Sequence, residues 1–192
     1  MKSTAKKKLF INNMITLGMV VAAWIIMEVL MGTGHVSSLL KGLLVPFCIY
    51  VIMAVSLNLT VGILGELSLG HAGFMAIGAY SAAILGSKSP TYGAFFGAMV
   101  LGALIAGAVA LIVGVPTLRL KGDYLAIATL GMAEIIRIII VNGGELTNGA
   151  AGLTGILPYT SWPVIYFFVV IITILVLNFL RSATGRQAIT LR

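Results

Sequence analysis

Tyr92-Gly-Ala-Phe-Phe-Gly-Ala-Met-Val-Leu-Gly-Ala-Leu-Ile-Ala-Gly-Ala-Val-Ala-Leu-Ile-Val-Gly-Val115 holds no charged side chain, and none appears anywhere between Lys88 and Arg119. A helix needs about 20 mostly apolar residues to cross the hydrocarbon of a bilayer, and this run is long enough. The pattern repeats outward in both directions. From Leu9 to Leu40 the only charge is Glu28, from Lys41 to Lys88 it is Glu66, and there is none between Glu145 and Arg181. The gaps predict about six spans: Leu9–Met31, Leu39–Leu64, Leu67–Leu85, Tyr92–Val115, Tyr124–Val141 and Trp162–Leu180.

The whole chain agrees with that reading. Of its 192 residues, 60% are hydrophobic and 9% charged, against about 25% charged in an average soluble domain. Mean hydropathy is +1.13. Such a composition excludes a soluble globular enzyme, a disordered tail, a disulfide scaffold and a nucleic-acid binder. The net charge of +7 comes from basic residues at the ends of apolar runs, as in a protein held in an anionic bilayer. The expected fold is all-α, a polytopic integral membrane protein.

Lysine and arginine also orient it, since they gather on the cytoplasmic side. With the amino terminus inside, the cytoplasm receives Lys2, Lys6, Lys7, Lys8, Arg119, Lys121, Arg181, Arg186 and Arg192, while the outside receives only Lys41 and Lys88. Both termini are therefore expected in the cytoplasm, residues 1–8 forming a basic cytoplasmic start. The first span is too long for a secretory signal and lacks an Ala-x-Ala site, so it reads as a retained anchor.

Motifs of chemistry are missing. There is no His-Glu-x-x-His, no Gly-x-Ser-x-Gly and no Gly-x-x-x-x-Gly-Lys-Ser/Thr, so the chain has no phosphate loop of its own and any ATP-driven work falls to another subunit. The single Cys48 permits no internal disulfide and reads as a small apolar filler. No metal or other cofactor is expected. Ser68 and His71 stand three apart, but without a second carboxylate or nucleophile elbow they make no enzyme.

Polar residues inside greasy spans are the informative ones. The third run, with Gly70, Gly73 and Gly78 beside Glu66, Ser68, His71, Tyr80 and Ser81, should be buried among helices or line a wet passage. His71 reads either as a hydrogen-bonded packing residue or as part of that passage. Glu66 reads as a charge near the amino end of the third helix, where it favours the helix dipole. Glu134 and Arg137 lie near mid-membrane, three apart on one helical face, where they can neutralise each other. They read as a structural ion pair or as groups lining the path. In the fourth run the four-apart pairs Gly93/Gly97, Ala98/Gly102 and Ala103/Gly107 suit close helix packing. The sixth run, rich in Val, Ile, Leu and Phe, is expected to face lipid over most of its circumference. The connection from Asn142 to Ser161 is long and glycine-rich, either a flexible loop or a surface for an external partner.

Two longer blocks carry a resemblance. Leu57-Asn-Leu-Thr-Val-Gly-Ile-Leu-Gly-Glu-Leu-Ser-Leu-Gly-His-Ala-Gly-Phe-Met-Ala-Ile-Gly-Ala-Tyr80 resembles the signature of permease subunits of bacterial branched-chain amino acid ABC importers. So does Pro116-Thr-Leu-Arg-Leu-Lys-Gly-Asp-Tyr-Leu-Ala-Ile-Ala-Thr-Leu-Gly-Met-Ala-Glu-Ile-Ile-Arg137, and so does Asn148-Gly-Ala-Ala-Gly-Leu-Thr-Gly155. The resemblance covers about Leu43 to Arg192 and is closer to the M-type permease than to its H-type partner. It implies one permease domain over residues 1–192, half of a translocation pathway in a bacterial inner membrane. The other half would be a second homologous permease. Two cytoplasmic ATP-binding subunits would drive it, and an extracellular binding protein would deliver a branched-chain amino acid or similar small substrate. As polar groups within apolar spans, Asn58, Ser68, His71, Tyr80, Glu134 and Arg137 are the candidates for lining such a path. Residues 181–192, with Gly185, Arg186 and Arg192, resemble the start of the cytoplasmic helix that docks on the ATPase. Family members continue past this point, so the resemblance implies a chain truncated at its carboxyl end. The competing class is a stand-alone channel or proton-coupled carrier, with Glu134, His71 or Glu66 relaying protons.

Overall fold

The structure, a computed structural model, describes residues 18–33, 37–87, 91–117, 119–156 and 160–190. The basic start, the first part of the first predicted span, His35, Lys88, Pro158 and Arg192 lie outside the described residues. Among those described, the ordered elements are helices and turns, with no strand.

Helix α1 covers Gly18–Gly32. Helix α2 (Ser38–Leu57) opens on Ser37, whose hydroxyl accepts from the Leu40 N–H at 3.4 Å, and it runs on through Pro46. It passes directly into a π-helical stretch, Asn58–Leu64. Together they make 27 residues, roughly 40 Å at about 1.5 Å per residue, enough for the whole bilayer core. Gly65 ends this element with φ of 74°, a left-handed conformation open to glycine, and the Glu66 N–H donates back to the Thr60 carbonyl at 3.1 Å.

Helix α3 spans His71–Ser87, four residues later than the third predicted span begins. Residues 65–70 are not helical. The reason lies in where their backbone hydrogen bonds go: the Leu69 N–H donates to the Thr129 hydroxyl at 3.0 Å, and not to a preceding turn. Glu66 therefore stands outside the first turn of α3, which contains no acidic residue, and the dipole-capping expectation for it is not met.

Helices α4 (Tyr92–Thr117), α5 (Asp123–Val141) and α6 (Trp162–Arg181) match the predicted spans to within two residues at each end. Pro116 sits in the last turn of α4, beside the connection to α5. Among the described residues, four elements are long and apolar enough to cross a membrane: α2 with its π-helical extension, α4, α5 and α6. Helices α1 and α3 are apolar but shorter as described. The short helix α7 (Ala183–Thr190) completes the chain.

Helix α3 lies between α4 and α5, while α2 packs on α6. Helix α1 joins α6 through the Tyr166 hydroxyl, which donates to the Val20 carbonyl at 2.9 Å. The core is thin. Its buried apolar residues are Cys48, Ala98, Val113, Leu125, Ala126, Ile136 and Ile165, while many leucines and isoleucines, such as Leu39, Leu111 and Ile112, stand exposed. Water does not permit that surface; lipid does. In lipid the helices gain little from hiding apolar area, so contacts rest on close approach of small residues. A Cβ placed on Gly102 would lie 2.7 Å from the Gly78 carbonyl oxygen, and one on Gly73 would lie 2.9 Å from the Ala133 Cα. Of the small pairs foreseen in α4, only Ala98 and Gly102 are buried against a neighbour; Gly93, Gly97 and Gly107 have nothing within 4 Å.

A candidate translocation site

The break between the π-helical stretch and α3 opens a cavity of about 200 Å³. Thr60, Glu66, Ser68, Thr117 and Thr129 bring polar atoms to its wall, with Phe74 and Val113 among its apolar neighbours. Drug-sized ligand pockets are larger, about 300–1,000 Å³, so this one suits a small solute. Thr129 organises it: its hydroxyl donates to the Ala126 carbonyl at 3.0 Å while accepting from Leu69. Gly70 is buried against the same residue, where a Cβ would meet the Thr129 carbonyl oxygen at 3.0 Å.

His71, the first residue of α3, holds α3 to α2. Its Nε2 lies 2.7 Å from the Ser56 hydroxyl, and that hydroxyl donates its one proton to the Met53 carbonyl at 3.0 Å. The packing reading of His71 is the one this geometry supports.

Glu134 and Arg137 form the ion pair expected of them, with Nη2 to Oε1 at 2.7 Å and Nε within 3.1 Å of both carboxylate oxygens. They sit on the exposed face of α5, beside a groove of about 350 Å³ that Leu69, Ala72, Gly73 and Ala76 line from the α3 side. Tyr80 lies elsewhere, half-buried by a third hollow of about 300 Å³ where Gly152, Leu153 and Ile156 reach α3. Asn58 is exposed at the start of the π-helical stretch. Its carboxamide lies over Gly62, where any Cβ would collide with it. Thus the six predicted path residues are not gathered in one cavity: Ser68 is in the first, Glu134 and Arg137 beside the second, Tyr80 at the third.

The loop after α5 is built. It makes two 3-10 turns, Gly144–Leu146 and Gly149–Ala151, and the buried Thr147 donates to the Ile140 carbonyl at 2.6 Å. At the other end, Ser182 closes α6 and starts α7, its hydroxyl accepting from the Gly185 N–H at 3.1 Å. Gly185 is buried, and a Cβ there would run into the Phe179 carbonyl. Arg186 is exposed, and Arg192 falls outside the described residues. Helix α7 also touches the π-helical stretch.

Sequence reasoning missed Thr60, Thr117, Thr129 and Ser56. The available signal was a hydroxyl inside an apolar run, which must find an acceptor or a partner helix.

Residues 38–192 match the family model described as branched-chain amino acid transport system / permease component. The chain belongs to this family. It is similar to the high-affinity branched-chain amino acid transport system permease protein LivM of Escherichia coli strain K12, with 41% identity over 155 residues. Similarity to LivM of Salmonella typhimurium strain LT2 is 40% over 155 residues. Each alignment covers 80% of this chain and 33% of the relative, so the chain spans about a third of the length of the curated relatives it matches. No solved structure gives a significant match. The family is one of transport permeases, and the chain is an all-α, multi-pass membrane protein of that family.

Proposed function

We propose that this chain is a transmembrane subunit of an ATP-driven importer for branched-chain amino acids, in the inner membrane of a bacterium. It forms half of the passage, and a second homologous permease forms the other half. Separate ATP-binding subunits on the cytoplasmic side supply the energy, and an extracellular binding protein delivers the substrate. Six spans with both termini inside agree with the distribution of lysine and arginine. Helix α7, with Gly185 and Arg186, is the part nearest the ATPase, and its contact with the π-helical stretch offers a route toward the cavity.

One observation carries this reading. Residues 65–70, between the π-helical stretch and α3, leave the helical conformation and adjoin a small cavity whose largely apolar wall includes Thr60, Glu66, Ser68, Thr117 and Thr129. Irregular backbone beside a membrane helix is tolerated where protein buries it or a wet cavity adjoins it, and polar groups gathered between helices of a transport permease are candidates for the passage.

The test is uptake of labelled leucine by proteoliposomes containing this chain, a second permease, the ATP-binding subunits and the binding protein. ATP-dependent uptake is expected, and Ser68→Leu, which fills the cavity, should lower it at least tenfold without loss of protein from the membrane. Uptake that proceeds without any ATP-binding subunit and follows a proton gradient would replace this reading with a proton-coupled carrier.

A further inference from the structure

The polar atoms on the wall of the first cavity are of one kind. Its threonine hydroxyls donate to backbone carbonyls of their own helices: Thr60 to Leu57 at 2.9 Å, Thr117 to Val113 at 2.9 Å and Thr129 to Ala126 at 3.0 Å. A hydroxyl carries one proton and two lone pairs, so Thr60 and Thr117 keep accepting oxygens for a guest, whereas Thr129 already accepts from the Leu69 N–H. Glu66 is the one charged residue on the wall, and no lysine, arginine or histidine lines the cavity with it. It stands exposed, and among the described residues it forms no ion pair. Phe74, Val113, Leu125 and Met132 supply apolar surface.

We propose that this cavity takes a primary ammonium group on a small branched aliphatic skeleton, with Glu66 as counter-charge and the Thr60 and Thr117 hydroxyls as acceptors. An ammonium offers three donors and no acceptor, which is the complement of this wall. A carboxylate in largely apolar surroundings is stabilised by a cation that also donates hydrogen bonds. The volume of about 200 Å³ equals roughly seven water-sized groups at about 30 Å³ each, room for the ammonium and a short branched chain. A carboxylate on the same molecule meets no cation among the lining residues and stays at the mouth. This rests on the importer reading and names the end of the amino acid that the chain holds.

Charge-selective labelling reads the site without transport. In membranes holding the full chain with Cys48→Ala, Ser68→Cys supplies a thiol on the cavity wall. Relative to free cysteine, cationic aminoethyl methanethiosulfonate should label it about tenfold faster than the anionic sulfonatoethyl reagent, because an acidic cleft concentrates cations. Glu66→Gln should abolish that preference and Glu66→Asp should keep it. Neutral methyl methanethiosulfonate should label all three forms at one rate, which shows that the cavity persists. 3-Methylbutylammonium should slow the labelling severalfold, while 4-methylpentanoate and sodium chloride at the same concentration should not. Three results would overturn the inference: no cationic preference, a preference that survives Glu66→Gln, or equal protection by the carboxylate or by sodium. Preference and protection without ATP-driven leucine uptake would instead remove the importer reading and leave the ammonium site standing.

Discussion

A missing Cβ does the most at the residue scale. Gly73 and Gly102 are the points where α3 meets α5 and α4 closely enough that a methyl group has no space. Overpacking a close contact costs about 1–3 kcal/mol, so Gly73→Ala and Gly102→Ala should each lower the thermal midpoint in detergent. Gly97→Ala and Gly107→Ala, with nothing within 4 Å, should leave it unchanged or raise it slightly through helix propensity. Equal behaviour of all four would mean that the α3 crossings are not as close as the geometry shows. All four glycines stand in apolar runs with small neighbours. Nothing in the sequence separates those that touch a second helix from those that do not, because spacing gives a face and not the neighbour.

Among elements, the junctions decide the site. Hydropathy alone predicts a continuous third span from Leu67, since Leu67 and Leu69 are apolar and the average runs over the break. Hydropathy measures partition, not hydrogen bonding, and the Leu69 N–H goes to Thr129, sixty residues away in sequence. The corner between α6 and α7 is similar. Phe179 lies in the last turn of α6 and Gly185 in the first turn of α7, and the corner between them has no space for a side chain at position 185. Gly185→Ala should therefore swing α7 away from the end of α6, raising protease cleavage between Arg181 and Arg186 severalfold in membrane vesicles. Unchanged cleavage would show that the corner can relax around a methyl group.

On the scale of the whole molecule, the membrane sets which parts are exposed. With the amino terminus inside, Lys121 and Glu145 bracket α5 from opposite sides. In a Cys48→Ala background, Lys121→Cys should react with an impermeant maleimide only after the cells are opened, and Glu145→Cys should react in intact cells. The reverse pattern would invert the topology and place α7 outside, away from any cytoplasmic ATPase.

Apolar runs and charge placement were sufficient to establish an all-α membrane protein, the approximate limits of α4, α5 and α6, and the pairing of Glu134 with Arg137. Those follow from local rules: a helix must satisfy its own backbone in lipid, and residues three apart share a face. Only the folded chain decided that α3 begins at His71, that His71 is bound to Ser56, and that Thr129 shapes a cavity whose other walls come from the π-helical stretch, residues 65–70, α3 and α4. It also decided that the Glu134–Arg137 pair faces outward from the subunit. These features depend on groups far apart in sequence meeting at distances of about 3 Å, and no local pattern encodes which helix will stand opposite.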